Sequence, residues 1–80
     1  MNTYQKWVNR VTQIGENREV DFVYAKLQEE VGEAATYDLD ELDDVLNCIG
    51  ILFASCGEKI DFQRMLDKLD KRRFKYGDNL

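Results

Sequence analysis

The chain has 80 residues, no proline, five glycines and a formal net charge of −5. That acidic balance argues against a large nucleic-acid-binding surface and leaves room only for a local basic patch. The length fits one domain over residues 1–80. A core this small leans on a metal, disulfides or a partner chain.

Helix formers dominate and two of the apolar stretches are helix-periodic, so the expected class is all-α: a four-helix, bundle-like chain that assembles with a partner chain. No apolar run is long enough to span a membrane. The opening MNTYQKWVNR lacks the apolar core of a secretion signal, so a cytoplasmic protein is expected. With no histidine anywhere, a Cys/His zinc site and a histidine-based nucleophile relay are both disfavoured. Cys48 and Cys56 lie two turns apart on one predicted helix, about 12 Å, too far for an intrachain bridge. They read as small core residues in a reducing compartment.

The first predicted helix, Thr3 to Ile14, carries Tyr4, Trp7, Val8, Val11 and Ile14 at the spacing of an amphipathic stripe. Asn2 or Thr3 caps its start and Gly15 is a candidate stop. A charged linker follows. The second helix runs from about Glu19 to Ala35, with Val20, Val23, Tyr24, Leu27, Val31 and Ala34 as its apolar stripe. Gly32 interrupts it at a cost of about 1 kcal/mol relative to alanine, which suggests close approach by a backbone or ligand, or simple drift.

A break near Thr36–Leu39 leads to a third helix that begins near Asp38–Asp40. Leu42, Val45, Leu46, Ile49, Leu52 and Phe53 give it a broad apolar face, so it is expected to be the most buried. Gly57 is its candidate C′ residue. Ile60 and Asp61 then read as staple and cap of a fourth helix with Phe62, Met65, Leu66 and Leu69 as its stripe. The chain closes with KLDKRRFKYGDNL, where cations complement a helix C-terminus but outnumber what a cap needs.

The chemistry is concentrated between Lys26 and Leu52. Glu29, Glu30 and Glu33 form an EExxE pattern, and Glu41 with Asp44 forms ExxD. Residues three apart share a helix face, so a hairpin through the break brings Glu30, Glu33, Glu41 and Asp44 toward its closed end. Like charges gathered there repel, and a hard divalent cation with oxygen ligands removes that penalty. An EExxE run by itself is usually a solvated face, and Asp38 with Glu41 also fits a capping box. The run from Asp38 fails as an EF-hand, because Asp43 stands where glycine is needed and Ile49 where the last acid is needed. No glycine loop of the Walker kind is present.

LQEEVGEAA followed by DELDDVLNCIGIL resembles the MazG-like members of the all-α nucleoside triphosphate pyrophosphohydrolases. The likeness runs from about Phe22 to the KRRFKYG tail. One departure is a seven-residue spacing between Glu33 and Glu41, shorter than the family's usual insertion.

The resemblance implies that Glu30, Glu33, Glu41 and Asp44 hold one or more Mg²⁺ ions, with Mn²⁺ able to substitute. Glu29 and Glu41 would be the catalytic acids, Glu29 orienting water from outside the metal ligands. Lys26, Lys68 and Arg72 would meet phosphates, and Asn47 the nucleoside. Trp7 and Tyr76 are candidates to stack on the base, or are core or interface aromatics. The implied reaction hydrolyses a nucleoside triphosphate to monophosphate and pyrophosphate, cleaning the nucleotide pool, in a homodimer or tetramer. The alternative is a catalytically silent helical interaction module that keeps the fold.

Overall fold

A computed structural model describes residues 1–71, which form four α-helices and a short 3₁₀ turn, with no strand among the described residues. The helices are α1 (Thr3–Gly15), α2 (Val20–Glu33), α3 (Leu39–Ser55) and α4 (Phe62–Lys71). None of them is long and apolar enough to cross a membrane.

Local chemistry sets most boundaries. The Asn2 side chain accepts from the Gln5 N–H at 2.8 Å and starts α1. Asp38 accepts from the Asp40 N–H at 2.9 Å and starts α3, and Asp61 accepts from the Arg64 N–H at 3.1 Å ahead of α4. At the end of α3, Gly57 takes φ +74°. Its N–H donates to the Ala54 carbonyl, while the Glu58 N–H donates to Phe53, the paired bonds of a Schellman stop.

The break between α2 and α3 is built differently. Ala34–Thr36 tighten into the 3₁₀ turn, and Tyr37 reverses the chain at φ 61°, its N–H donating to the Ala34 carbonyl. A tyrosine in the left-handed region is strained, and this one leaves its ring almost wholly in solvent, at 82% exposure.

α3 is the central element. α2 folds back along it, and α1 packs on it separately. The α1–α3 contact runs from Trp7 against Gly50, through Val11, to Gly15 against Ile51 and Ala54, so these two helices point the same way. Gly15 is the last residue of α1, the end expected for it, and it is also a point of close approach. A methyl group there would collide with the Ile51 carbonyl oxygen and Ala54 Cβ. Gly50 serves the same contact from the other side, since a Cβ would sit 3.0 Å from the Trp7 ring. Gly32, by contrast, has open space around it, and nothing in the structure explains the residue.

The core is made of small side chains: Val11, Val23, Ala34, Cys48 and Ala54. α3 supplies two of these, yet its larger residues Leu42 and Leu46 are exposed. Cys56 is also exposed rather than in the core, and both thiols are free. α4 buries none of its residues. It touches the rest through Phe62, whose ring lies 4.8 Å from that of Tyr4, and through Arg64 over the Phe53 ring. Phe62, Met65, Leu66 and Leu69 consequently stay open, as do Val20, Tyr24 and Val31 on α2.

Candidate metal centre

The hairpin around Tyr37 brings three acids together. Glu30 and Glu33 from the end of α2 and Glu41 from the first turns of α3 each offer a carboxylate oxygen, and these oxygens lie within 4.8 Å of one another. Their burial differs: Glu30 is 8% exposed, Glu41 is half-buried and Glu33 is exposed.

The helix period explains the difference. Along α2 and into the 3₁₀ turn the buried and half-buried residues are Val23, Leu27, Glu30 and Ala34, at spacings of four, three and four, which marks the seam with α3. Glu30 occupies a position in that seam where an apolar residue would ordinarily sit. Glu41 leads the matching register on α3, with Val45, Cys48 and Leu52. Two carboxylates thus replace apolar residues at the closed end of the α2–α3 seam, and Glu33 joins them one turn beyond Glu30.

Electrostatics follow from this crowding. The charge of Glu30, and then the hydrogen bond that a protonated Glu33 can donate to it, hold the Glu33 carboxyl above its ordinary range; desolvation, Glu41 and Glu29 add to the effect. Lys26 answers the negative charge. Its ammonium lies 3.2 Å from Glu30 Oε1 and 3.5 Å from Glu29 Oε1, and these are the ion pairs found among the described residues. The hydrogen bond to Glu30 and the charge of Glu29 keep the lysine protonated above its usual range. Glu30 Oε2 receives no such help: it is buried without a hydrogen-bond partner among the described residues. An acceptor in that state is costly unless a cation or donor reaches it.

Asp44 is not one of the three clustered acids. It stands one turn along α3 and is exposed. Its charge is felt instead at Cys48, whose thiol burial pushes up, with Glu30 and Asp44 raising it further and Lys26 opposing. Asp40 and Asp43 are exposed, as expected for solvent-facing acids. Asp38 caps α3 through the Asp40 amide, while Glu41 belongs to the acid cluster.

The residues expected to meet substrate are dispersed. Glu29 is exposed beside Lys26. Trp7 and Asn47 pair with each other, the indole Nε1–H donating to Asn47 Oδ1 at 2.7 Å, and this bond ties α1 to α3. This bond uses the Asn47 side-chain oxygen and not its N–H donors. Lys68 is exposed on α4, whose aromatic contacts are with Tyr4 and Phe53. Arg72 and Tyr76 lie outside the described residues.

Two features of the structure fall outside apolar periodicity. The Lys26–Glu30 pair was signalled by its i, i+4 spacing. The close approach at Gly15 and Gly50 has no such marker, because it depends on where α1 crosses α3.

The donor set suits a hard cation. Three carboxylates of unlike burial, one with a buried orphan oxygen, match the oxygen ligands that Mg²⁺, Mn²⁺ or Ca²⁺ take. No family model, curated protein or solved structure matches the chain.

Proposed function

We propose that this chain is a Mg²⁺-dependent nucleoside triphosphate pyrophosphohydrolase of the MazG-like kind, with Mn²⁺ as an alternative ion. The observation that carries the reading is the Glu30, Glu33 and Glu41 cluster with its buried Glu30 oxygen, unpartnered among the described residues. It is joined by the resemblance of the EExxE and ExxD segments. Glu30, Glu33 and Glu41 would hold the ion, and Asp44, one turn further along α3, would join once substrate is bound. The bound ion supplies positive charge to phosphate oxygens and acidifies water.

The chain's own groups do the rest. A carboxylate of the cluster, Glu41, takes the proton of the attacking water, with Glu29 orienting it. Water oxygen bonds to the α-phosphorus, the α–β bridging bond breaks, and pyrophosphate leaves. Lys26, Lys68 and Arg72 balance charge on the phosphates. Asn47 contacts the nucleoside through the amide donors that Trp7 leaves free.

A homodimer, or a tetramer of paired dimers, completes the pocket. Supporting this are the open apolar residues Val20, Tyr24 and Val31 on α2, Leu42 and Leu46 on α3, and the stripe of α4, a spread typical of a surface that meets another chain. The compartment proposed is the cytoplasm, and the role is nucleotide-pool cleaning.

A second reading, a catalytically silent helical module, draws on two observations: Asp44 stands apart from the cluster, and apolar surface is extensive. Pyrophosphate release from a panel of ordinary and damaged nucleoside triphosphates separates the two. The enzyme reading expects metal-dependent release by the wild type and near loss in Glu41→Gln. Equal, background rates from both would leave the module.

A further inference from the structure

The ammonium of Lys26 already occupies part of the acid cluster. It lies 3.2 Å from Glu30 Oε1, and it also reaches Glu29 at 3.5 Å. Glu30 therefore has two unlike oxygens, Oε1 held by a lysine and Oε2 buried without a partner among the described residues. A divalent ion bound by Glu30, Glu33 and Glu41 would contend with that ammonium for the same carboxylate.

We infer that Lys26 is the resident counter-ion of the acid cluster and that an entering divalent cation displaces its ammonium from Glu30, freeing it for an anionic ligand. This inference rests on the cluster being a cation site. Three features favour displacement. The lysine side chain is about half exposed, at 48%, so its ion pair is screened and weak. Its four-carbon stem is flexible and its charge is compact. A divalent ion gathers three carboxylates at once, where the ammonium reaches one of them. Glu29, exposed beside the lysine, gives the released ammonium a second anchor on the same helix. The arrangement offsets part of the negative charge in the metal-free cluster and couples arrival of the ion to delivery of a cation.

Mn²⁺ titration followed by electron paramagnetic resonance tests this on the wild type, Lys26→Met and Lys26→Arg. Lys26→Met should bind Mn²⁺ about two- to fivefold more tightly, the scale of a partly exposed ion pair. The gain should shrink in high salt, which weakens an exposed ion pair. Without metal the Met variant should melt below the wild type, and Lys26→Arg should stay near the wild type in both measurements. Wild-type or weaker Mn²⁺ affinity in Lys26→Met, beside normal binding by the wild type, overturns the inference and leaves the site standing. No binding by any of the three removes site and inference together. The unaltered chain offers a separate test: the side-chain ammonium NMR signal of Lys26 should move on saturation with Mg²⁺, and an unmoved signal refutes displacement.

Discussion

Glu41→Gln keeps the shape of the acid cluster and removes one of its charges. A Glu41 oxygen lies within 4.8 Å of a Glu30 oxygen. Two unit charges at that separation repel by about 0.9 kcal/mol in water and about 3.5 kcal/mol at an effective dielectric of about 20. Glu41 is half-buried and keeps part of its hydration, so the relief belongs near the lower figure. A gain of about 1 kcal/mol raises the melting midpoint of a chain this size by about 4–8 °C. In chelator, then, the variant should melt above the wild type. Excess divalent ion reverses the order. At about 100 times its Kd a cation adds about 2.7 kcal/mol to the wild type, and the variant, short of a ligand, gains far less. Far-UV circular dichroism melts in EDTA and in millimolar Mg²⁺ or Mn²⁺ measure both. A variant that melts at or below the wild type in EDTA, and gains as much from metal, refutes the reasoning.

Three further outcomes follow from the fold. Tyr37→Gly should stabilise the chain by roughly 0.5–1 kcal/mol in urea denaturation, because left-handed strain of about 1–2 kcal/mol is relieved against about 0.5–1 kcal/mol of added unfolded-state entropy; a loss would show that the exposed ring has a partner. Gly15→Ala should cost about 1–3 kcal/mol, since α1 must move off α3, and should shift Trp7 fluorescence as the indole loosens from Asn47. Unchanged stability and emission would contradict that contact. Glu33 governs a pH dependence in the metal-free chain. Its folded carboxyl binds protons more tightly than the ordinary value of 4.5, so its protonation adds stability that is complete below that value and lost as pH rises through the raised one. The advantage of Glu33→Gln over the wild type in EDTA should accordingly be full near neutrality and vanish below pH 4.5; a constant difference would refute the repulsion.

Much of the helical frame was legible in the residues themselves. Asn2, Asp38, Asp61 and Gly57 act as caps and stop because their chemistry is local. The reversal after α2 was also readable, though its agent, a left-handed Tyr37, was not, since nothing in a tyrosine advertises positive φ. The meeting of Glu30, Glu33 and Glu41 follows from spacing plus a hairpin. Glu30 and Glu41 could have been singled out further as acids standing in the seam registers Val23–Leu27–Glu30–Ala34 and Glu41–Val45–Cys48–Leu52. Asp44 fell outside the trio because sharing a face with Glu41 does not bring it to the same height along α3. The exposure of Leu46, Leu66 and Leu69 was hidden as well: periodicity marks an apolar stripe but does not say whether the chain itself covers it.

Uptake of a divalent ion by the acid cluster is the central claim. Equilibrium Mn²⁺ binding to the wild type and to the triple variant Glu30→Gln, Glu33→Gln, Glu41→Gln asks for it directly. Saturable binding of at least one ion per chain is predicted, lost in a triple variant that keeps its helical signal. Absence of saturable binding to the wild type at millimolar Mn²⁺, or equal binding by the triple variant, would contradict it.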